Sequence, residues 1–190
     1  MKIFISGGCK NGKSHYAQYF AQRLAKKQRT CPLYYIATMR PVDREDDDRI
    51  KRHRHERADL GFSTIEQYNN IEKILDKCEH NSAFLLDSLT ALLANEMFLP
   101  DGSVNENAAE KISCAIKIIT DKVKNIVIVS DYIYGDGLAY EPLTEKYRRS
   151  LAQIDRTAAA SSDIVLEIAY SNVIVHKGSK IFGELNEEIP

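Results

Sequence analysis

The 190 residues hold no surplus of basic charge, no paired cysteines and no long apolar run, and each absence narrows what the chain can be. Lys and Arg number 26 against 27 Asp and Glu, a formal net charge of -1. A protein whose main partner is a nucleic-acid duplex carries a basic excess, so the composition argues against nucleic acid and for a small ligand. Cys9, Cys31, Cys78 and Cys114 are scattered, with no C-x-x-C and no histidine beside them at metal spacing. That excludes a disulfide scaffold and a structural zinc site and fits a reducing cytosol. No stretch approaches the ~20 apolar residues that span a bilayer; the richest, Ala83 to Leu99, is broken by Asp87, Asn95 and Glu96. The opening Met1-Lys2-Ile3-Phe4-Ile5-Ser6-Gly7 is too short for the apolar core of a signal peptide. A cytoplasmic protein with no membrane span is expected.

What is present points to an ordinary folded enzyme-sized unit. Hydrophobic residues make up 44% and charged residues 28%, against disorder and against a collagen-like fibre. At ~150 residues per domain the length favours a single domain over 1–190, able to bury roughly 70% of its unfolded surface. Short apolar runs alternate with helix-patterned segments. The expected strands are Lys2–Ser6, Leu33–Ala37, Ala83–Leu86, Ile126–Ser130, Ile164–Ile168 and Val173–His176. Several are continuously apolar, as in Ile126-Val127-Ile128-Val129, the pattern of strands covered on both faces. The expected helices are Lys13–Lys27, Asp47–Arg57, Asn69–Cys78, Ala91–Phe98, Asn107–Lys124 and Leu143–Ala160. The fold class that follows is α/β, a mostly parallel sheet with helices on both faces. A tight Tyr170-Ser171-Asn172 turn predicts a C-terminal antiparallel hairpin, and Gly183–Pro190 reads as a frayed tail.

The sharpest motif is Gly7-Gly8-Cys9-Lys10-Asn11-Gly12-Lys13-Ser14, a complete G-x-x-x-x-G-K-S between the first strand and the first helix. Gly7, Gly8 and Gly12 let the backbone approach phosphate oxygens, and the helix N-terminus adds partial positive charge. Lys13 is expected to reach β/γ-phosphates and the Ser14 hydroxyl to bind Mg2+. The partner acid is expected at the carboxyl edge of a neighbouring strand, where Asp87 ends Phe84-Leu85-Leu86-Asp87; a helix N-cap is the competing role for it. Asp131, after Ile128-Val129-Ser130, has the same placement.

Asp43 to Asp59 is dense in charge, acids before bases. This order suits a helix macrodipole and, read blandly, gives an exposed solvated helix. Arg49, His53 and Arg57, spaced i, i+4, i+8, nevertheless share one face. A histidine between two guanidiniums is held neutral by like charge. It is then nucleophilic, while the arginines attract phosphate. His15, His55, His80 and His176 receive no role.

Taken in order, these pieces resemble the bifunctional adenosylcobinamide kinase/adenosylcobinamide-phosphate guanylyltransferase family of cobalamin biosynthesis. Besides the phosphate loop, the likeness is carried by Tyr35-Ile36-Ala37-Thr38, Arg49-Ile50-x-x-His53-Arg54-x-x-Arg57, Leu85-Leu86-Asp87-Ser88-Leu89-Thr90, Asn95, Val127-Ile128-Val129-Ser130 and Ala158-Ala159-Ala160 before Asp163. It implies a P-loop NTPase-like fold and a corrinoid substrate. It also implies ATP or GTP as phosphoryl donor, Mg2+, GTP as guanylyl donor, a guanylylated His53 flanked by Arg49 and Arg57, and a homotrimer. The chain departs from the family pattern at three places. Asp131-Tyr132-Ile133-Tyr134 stands for the usual Asn-Glu-Val-Gly, Gly61-Phe62 stands where a tryptophan is usual, and Asp155-Arg156 replaces an Asn-Gln pair. Two other readings compete: a P-loop small-molecule kinase without guanylyl transfer, and an inactive GTP-binding regulatory module.

Overall fold

A computed structural model describes residues 1–28, 32–41 and 60–186. The expected Asp47–Arg57 helix, and with it Arg49, His53 and Arg57, lies outside the described residues.

Within them, seven strands form one sheet in the order β3-β2-β4-β5-β1-β6-β7. They are β1 (Lys2–Gly7), β2 (Leu33–Ala37), β3 (Phe62–Glu66), β4 (Ala83–Asp87), β5 (Asn125–Val129), β6 (Ile164–Ala169) and β7 (Asn172–Lys177). All pair in parallel except β6 with β7. The helices are α1 (Lys13–Gln28), α2 (Leu89–Met97), α3 (Ala108–Lys122), α4 (Pro142–Ala160) and α5 (Ser179–Asn186).

The continuously apolar strands are explained by two cores, one on each side of the sheet. Phe4, Phe84, Leu86, Ile126 and Ile128 face a core shared with α2, α3 and α4. Their sequence neighbours Ile3, Ile5, Leu85, Val127 and Val129 face the other, shared with Phe20 and Leu24 of α1. Strand side chains alternate between faces, so only a strand apolar at every position can serve both layers. Each such buried side chain contributes about 1.5–3 kcal/mol.

Four expectations are corrected. β3 adds to the expected strands: Phe62-Ser63-Thr64-Ile65-Glu66 is partly exposed, with three polar residues and no regular alternation, because it closes the sheet at one edge. Asn69–Cys78 forms only a 3-10 turn, Ile71–Asp76, burying Ile71 and Ile74. The frayed tail is instead the helix α5 as far as Asn186, where Leu185 is fully buried and the Phe182 ring meets Phe20 at 5.8 Å edge-on. The hairpin turn is one residue shorter than expected, since Asn172 already pairs with Ala169. Tyr170 and Ser171 both take positive φ, 51° and 61°, the conformation that matches the twist of a two-residue hairpin.

Candidate functional site

β1 delivers the chain into the loop at Gly7, where only glycine fits: a Cβ there would lie 2.3 Å from the Ile168 carbonyl oxygen of β6. At the other end of the loop Gly12 has φ +88°. Its carbonyl accepts the N–H groups of His15 at 3.1 Å and Tyr16 at 3.3 Å. α1 therefore starts directly from the loop, and the first amides of a helix point at whatever the loop encloses. Lys13 is folded back across this loop. Its Nζ donates to the Gly8 carbonyl at 2.6 Å and pairs with Asp131 Oδ1 at 2.8 Å.

The two strand-end carboxylates are held differently. Asp87 is the last residue of β4; its Oδ2 accepts from Tyr35 OH at 2.8 Å and from Ser14 Oγ at 3.5 Å. The competing role for it is filled by Ser88, whose Oγ accepts from the Ala91 N–H and caps α2. Asp131 lies just beyond β5. Its N–H donates to Thr90 Oγ1 at 3.0 Å, and the Tyr132 N–H donates to the Gly7 carbonyl at 2.9 Å. Tyr147 of α4 reaches across to the Thr90 carbonyl at 2.8 Å, and burial, with smaller contributions from Asp131 and Asp155, pushes its phenol up to about 12.

Cys9 through Ser14, Asp87 and Asp131 line one cleft of about 880 Å³, with Tyr35, Met39, Glu66, Tyr68 and Tyr147 on its other walls. This is the volume of a site for a substantial ligand. It opens at the carboxyl ends of the strands, where parallel sheets bind ligands. Gly7 and Gly8 carry the chain from β1 into the loop. Ala37 and Met39, at the exit of β2, also line the cleft, and the described chain stops at Pro41, ahead of the Arg49–Arg57 segment.

Two residues that the resemblance includes without a chemical role, Thr38 and Asn95, hold the frame around the cleft. Thr38 Oγ1 both accepts from the Ser88 N–H and donates to the Ser88 carbonyl, each at 2.7 Å. Asn95 donates to the carbonyls of Thr38 at 2.7 Å and Tyr68 at 3.0 Å. Together they fasten the ends of β2 and β4 to α2. Their advance signals were their places among the residues that carry the family resemblance and, for Asn95, its interruption of an apolar run.

Two of the departures from the family pattern touch each other. Tyr134 OH donates to Asp155 Oδ2 at 2.9 Å. Asp155 is 4% exposed, and desolvation raises its carboxyl from 3.8 to about 6. Ser130 Oγ faces the same carboxyl closely enough to pull its pKa down, but Ser130 Oγ and Asp155 Oδ1 both lack a partner of full hydrogen-bond geometry.

Mg2+ suits the donors here. Ser14 and Asp87 offer a hydroxyl and a carboxylate side by side, hard oxygens of the kind Mg2+ takes while keeping water and phosphate as its other ligands. Among the described residues no group of three or more His, Cys, Asp or Glu forms a complete metal cage, and no helix there is long and apolar enough to cross a membrane.

Strand order, glycine loop and strand-end acids define an α/β protein of the P-loop NTPase type. The crystal structure of the KaiC-like protein PH0186 from Pyrococcus horikoshii OT3 superimposes with a TM-score of 0.51 over 93% of this chain and 78% of that one. At 12% identity that likeness concerns the fold alone. The family described as cobinamide kinase / cobinamide phosphate guanyltransferase matches residues 3–172, and the chain belongs to it. Similar relatives are the bifunctional adenosylcobalamin biosynthesis proteins CobU of Escherichia coli K12, 28% identical over 177 residues, and of Salmonella typhimurium LT2, 24% identical over 180. Each alignment covers 87% of this chain and 93% of the relative.

Proposed function

We propose that the chain phosphorylates the aminopropanol hydroxyl of adenosylcobinamide and then transfers GMP from GTP to the new phosphate through a guanylyl-His53 intermediate. The reading is carried by the phosphate cradle itself: Lys13 and two strand-end carboxylates converge on one glycine loop, in a chain of this family.

Gly8, Cys9, Lys10, Asn11 and Gly12 wrap the triphosphate of ATP or GTP with main-chain amides. Lys13 leaves its resting partners for the β/γ-phosphates. Ser14 and Asp87 would hold Mg2+, which neutralises charge on the triphosphate when bound. In the first reaction the substrate hydroxyl oxygen attacks the γ-phosphorus and the nucleoside diphosphate leaves. In the second an imidazole nitrogen of His53 attacks the α-phosphorus of GTP and pyrophosphate leaves. A phosphate oxygen of the corrinoid then displaces His53, giving the GDP-linked product. Arg49 and Arg57, four residues to either side of His53 in the sequence, steady the phosphates through that exchange. The reactions take place in the cytoplasm, and the assembly is a homotrimer.

Incubation with α-labelled GTP followed by mass spectrometry tests this. The expected result is an acid-labile GMP adduct on His53, lost in His53→Ala. Corrinoid phosphorylation without an adduct would leave the plain kinase. GTP binding without either product would leave the inactive module, the reading that the altered Asp131–Tyr134 stretch motivates.

A further inference from the structure

Two carboxylates stand at the mouth of the phosphate loop, on strands that are neighbours in the sheet, and the fold sorts them. Asp87 faces the Ser14 hydroxyl and is anchored by Tyr35; it stands on the side suited to a divalent cation. Asp131 faces Lys13 instead, Oδ1 to Nζ 2.8 Å. Its position is fixed through the main chain on both sides of its Cα. Its own N–H bonds to Thr90 of α2, and the next N–H bonds to Gly7 at the entrance of the loop. The Asp131 side chain is 34% exposed and opens on the cleft, whereas that of Lys13 is 7% exposed. Where the family pattern has an asparagine, this chain has a group that can accept a proton.

We infer that Asp131 is the proton acceptor for the hydroxyl that receives the γ-phosphoryl group, and that its ion pair with Lys13 is the resting state of the empty site. This deepens the kinase half of the proposed function and rests on it. A P-loop lysine reaches the β/γ-phosphates, and the ammonium that makes this reach rests 2.8 Å from Asp131 before any nucleotide arrives, so the acid stands at the same end of the loop. When the triphosphate draws Lys13 away, the Asp131 carboxylate is released facing the cleft, on the side from which an acceptor must approach. The hydroxyl oxygen bonds to the γ-phosphorus and its proton passes to Asp131 Oδ1. The bond from the γ-phosphorus to the bridging oxygen breaks, and its electron pair stays on the nucleoside diphosphate. Asp131 then returns the proton to water in the open cleft. A positioned acid or base of this kind is worth roughly 10²–10⁴ in rate.

The test compares Asp131→Asn and Asp131→Glu with the wild-type full chain, using ATP, adenosylcobinamide and a Mg2+ titration. For Asp131→Asn, kcat of phosphoryl transfer is expected to fall by about 100-fold or more. Nucleotide Kd should stay within about threefold or tighten, because Lys13 has lost an internal competitor, and the Mg2+ concentration for half-maximal activity should not move. Asp131→Glu, which keeps a carboxylate, should recover at least a tenth of wild-type kcat. Asp131→Asn turnover within about threefold of wild type would overturn the role. A tenfold or greater rise in the Mg2+ requirement would make Asp131 a metal acid and overturn it too. A wild-type chain that binds ATP but phosphorylates no corrinoid would refute the kinase reading and this inference together.

Discussion

Replacing Asp155 by asparagine should stabilise the protein, and only above acid pH. The carboxyl, carried by α4, is buried against Tyr134 and Ser130, and its pKa is raised from 3.8 to about 6, chiefly by desolvation. The folded chain therefore holds this proton more tightly than the unfolded chain. At pH below about 3.8 both states are protonated and the site is neutral to stability. As pH climbs through the interval from about 3.8 to about 6, the unfolded carboxyl ionises freely while the folded one resists, and stability is lost. Above about 6 the loss is complete, on the order of 3 kcal/mol at 1.36 kcal/mol per pH unit. Asparagine keeps the acceptor for Tyr134 OH and turns an N–H toward Ser130 Oγ, which lacks a good partner. At pH 8 the variant should gain up to about 3 kcal/mol, and at ~2–4 °C per kcal/mol for a chain of this length Tm should rise by roughly 10 °C. At pH 4 the two proteins should melt within a degree or two of each other. Urea titrations and thermal melts across pH 4 to 8, read as variant minus wild type, supply the measurement. A difference that does not change with pH would refute the argument, for it would mean that Asp155 titrates alike folded and unfolded.

Further tests address the loop and its strand. Lys13→Ala should abolish triphosphate use in both reactions while leaving the far-ultraviolet circular dichroism unchanged; surviving activity would remove Lys13 from the cradle. Gly7→Ala pushes a methyl group to 2.3 Å from the Ile168 carbonyl oxygen, so it should cost about 2–3 kcal/mol by overpacking and lower nucleotide affinity with it. A stable Gly7→Ala variant with full affinity would show that β1 and β6 can part without disturbing the loop.

The parallel sheet and the loop were legible because both are local. An apolar run buried on two faces and a G-x-x-x-x-G-K-S between strand and helix are written in consecutive residues. What escaped notice depends on distant partners. β3 is half-polar because it closes an edge, and nothing in Phe62-Ser63-Thr64-Ile65-Glu66 announces the five paired positions of β2 beside it. α5 carries Gly183, a weak helix former, and its place is fixed by Leu185 and Phe182 packing on α1 and the sheet. The site behaved the same way. Asp87 could be placed at a strand end from sequence, but its choice of Tyr35 and Ser14 over the helix cap required the fold. Even the breaks in the Ala83–Leu99 run carried information. Asp87 serves the cleft and Asn95 binds β2 to α2. Glu96, 5% exposed, accepts the Asn70 N–H at 2.6 Å and pairs with Lys111 at 2.7 Å.

The departures from the family pattern are no random scatter over the surface. Asp131 meets Lys13, and Tyr134 meets Asp155, a residue 21 positions on that also departs. The Asp131 charge itself helps to raise the Asp155 carboxyl. The loop joining these pieces is strapped to α4 by Arg148, 7% exposed, whose guanidinium donates to the Ile133 carbonyl at 3.0 Å and to Asp136 at 2.8 Å and lies 4.5 Å above the Tyr140 ring. A substitution that introduced Tyr134 alone would have buried a hydroxyl without an acceptor, and Asp155 alone would have buried a carboxyl without a donor. Either error costs about 1–3 kcal/mol or more, whereas the pair gives the hydroxyl its acceptor and one carboxyl oxygen its donor. Tyr134, Asp155 and Arg148 thus form one connected wall behind the second strand-end acid. Replacing Tyr134 by glycine should accordingly weaken stability more in the wild type than in an Asp155→Ala background, where the acceptor of its hydroxyl is gone, and equal losses in the two backgrounds would show that the contact carries no coupling.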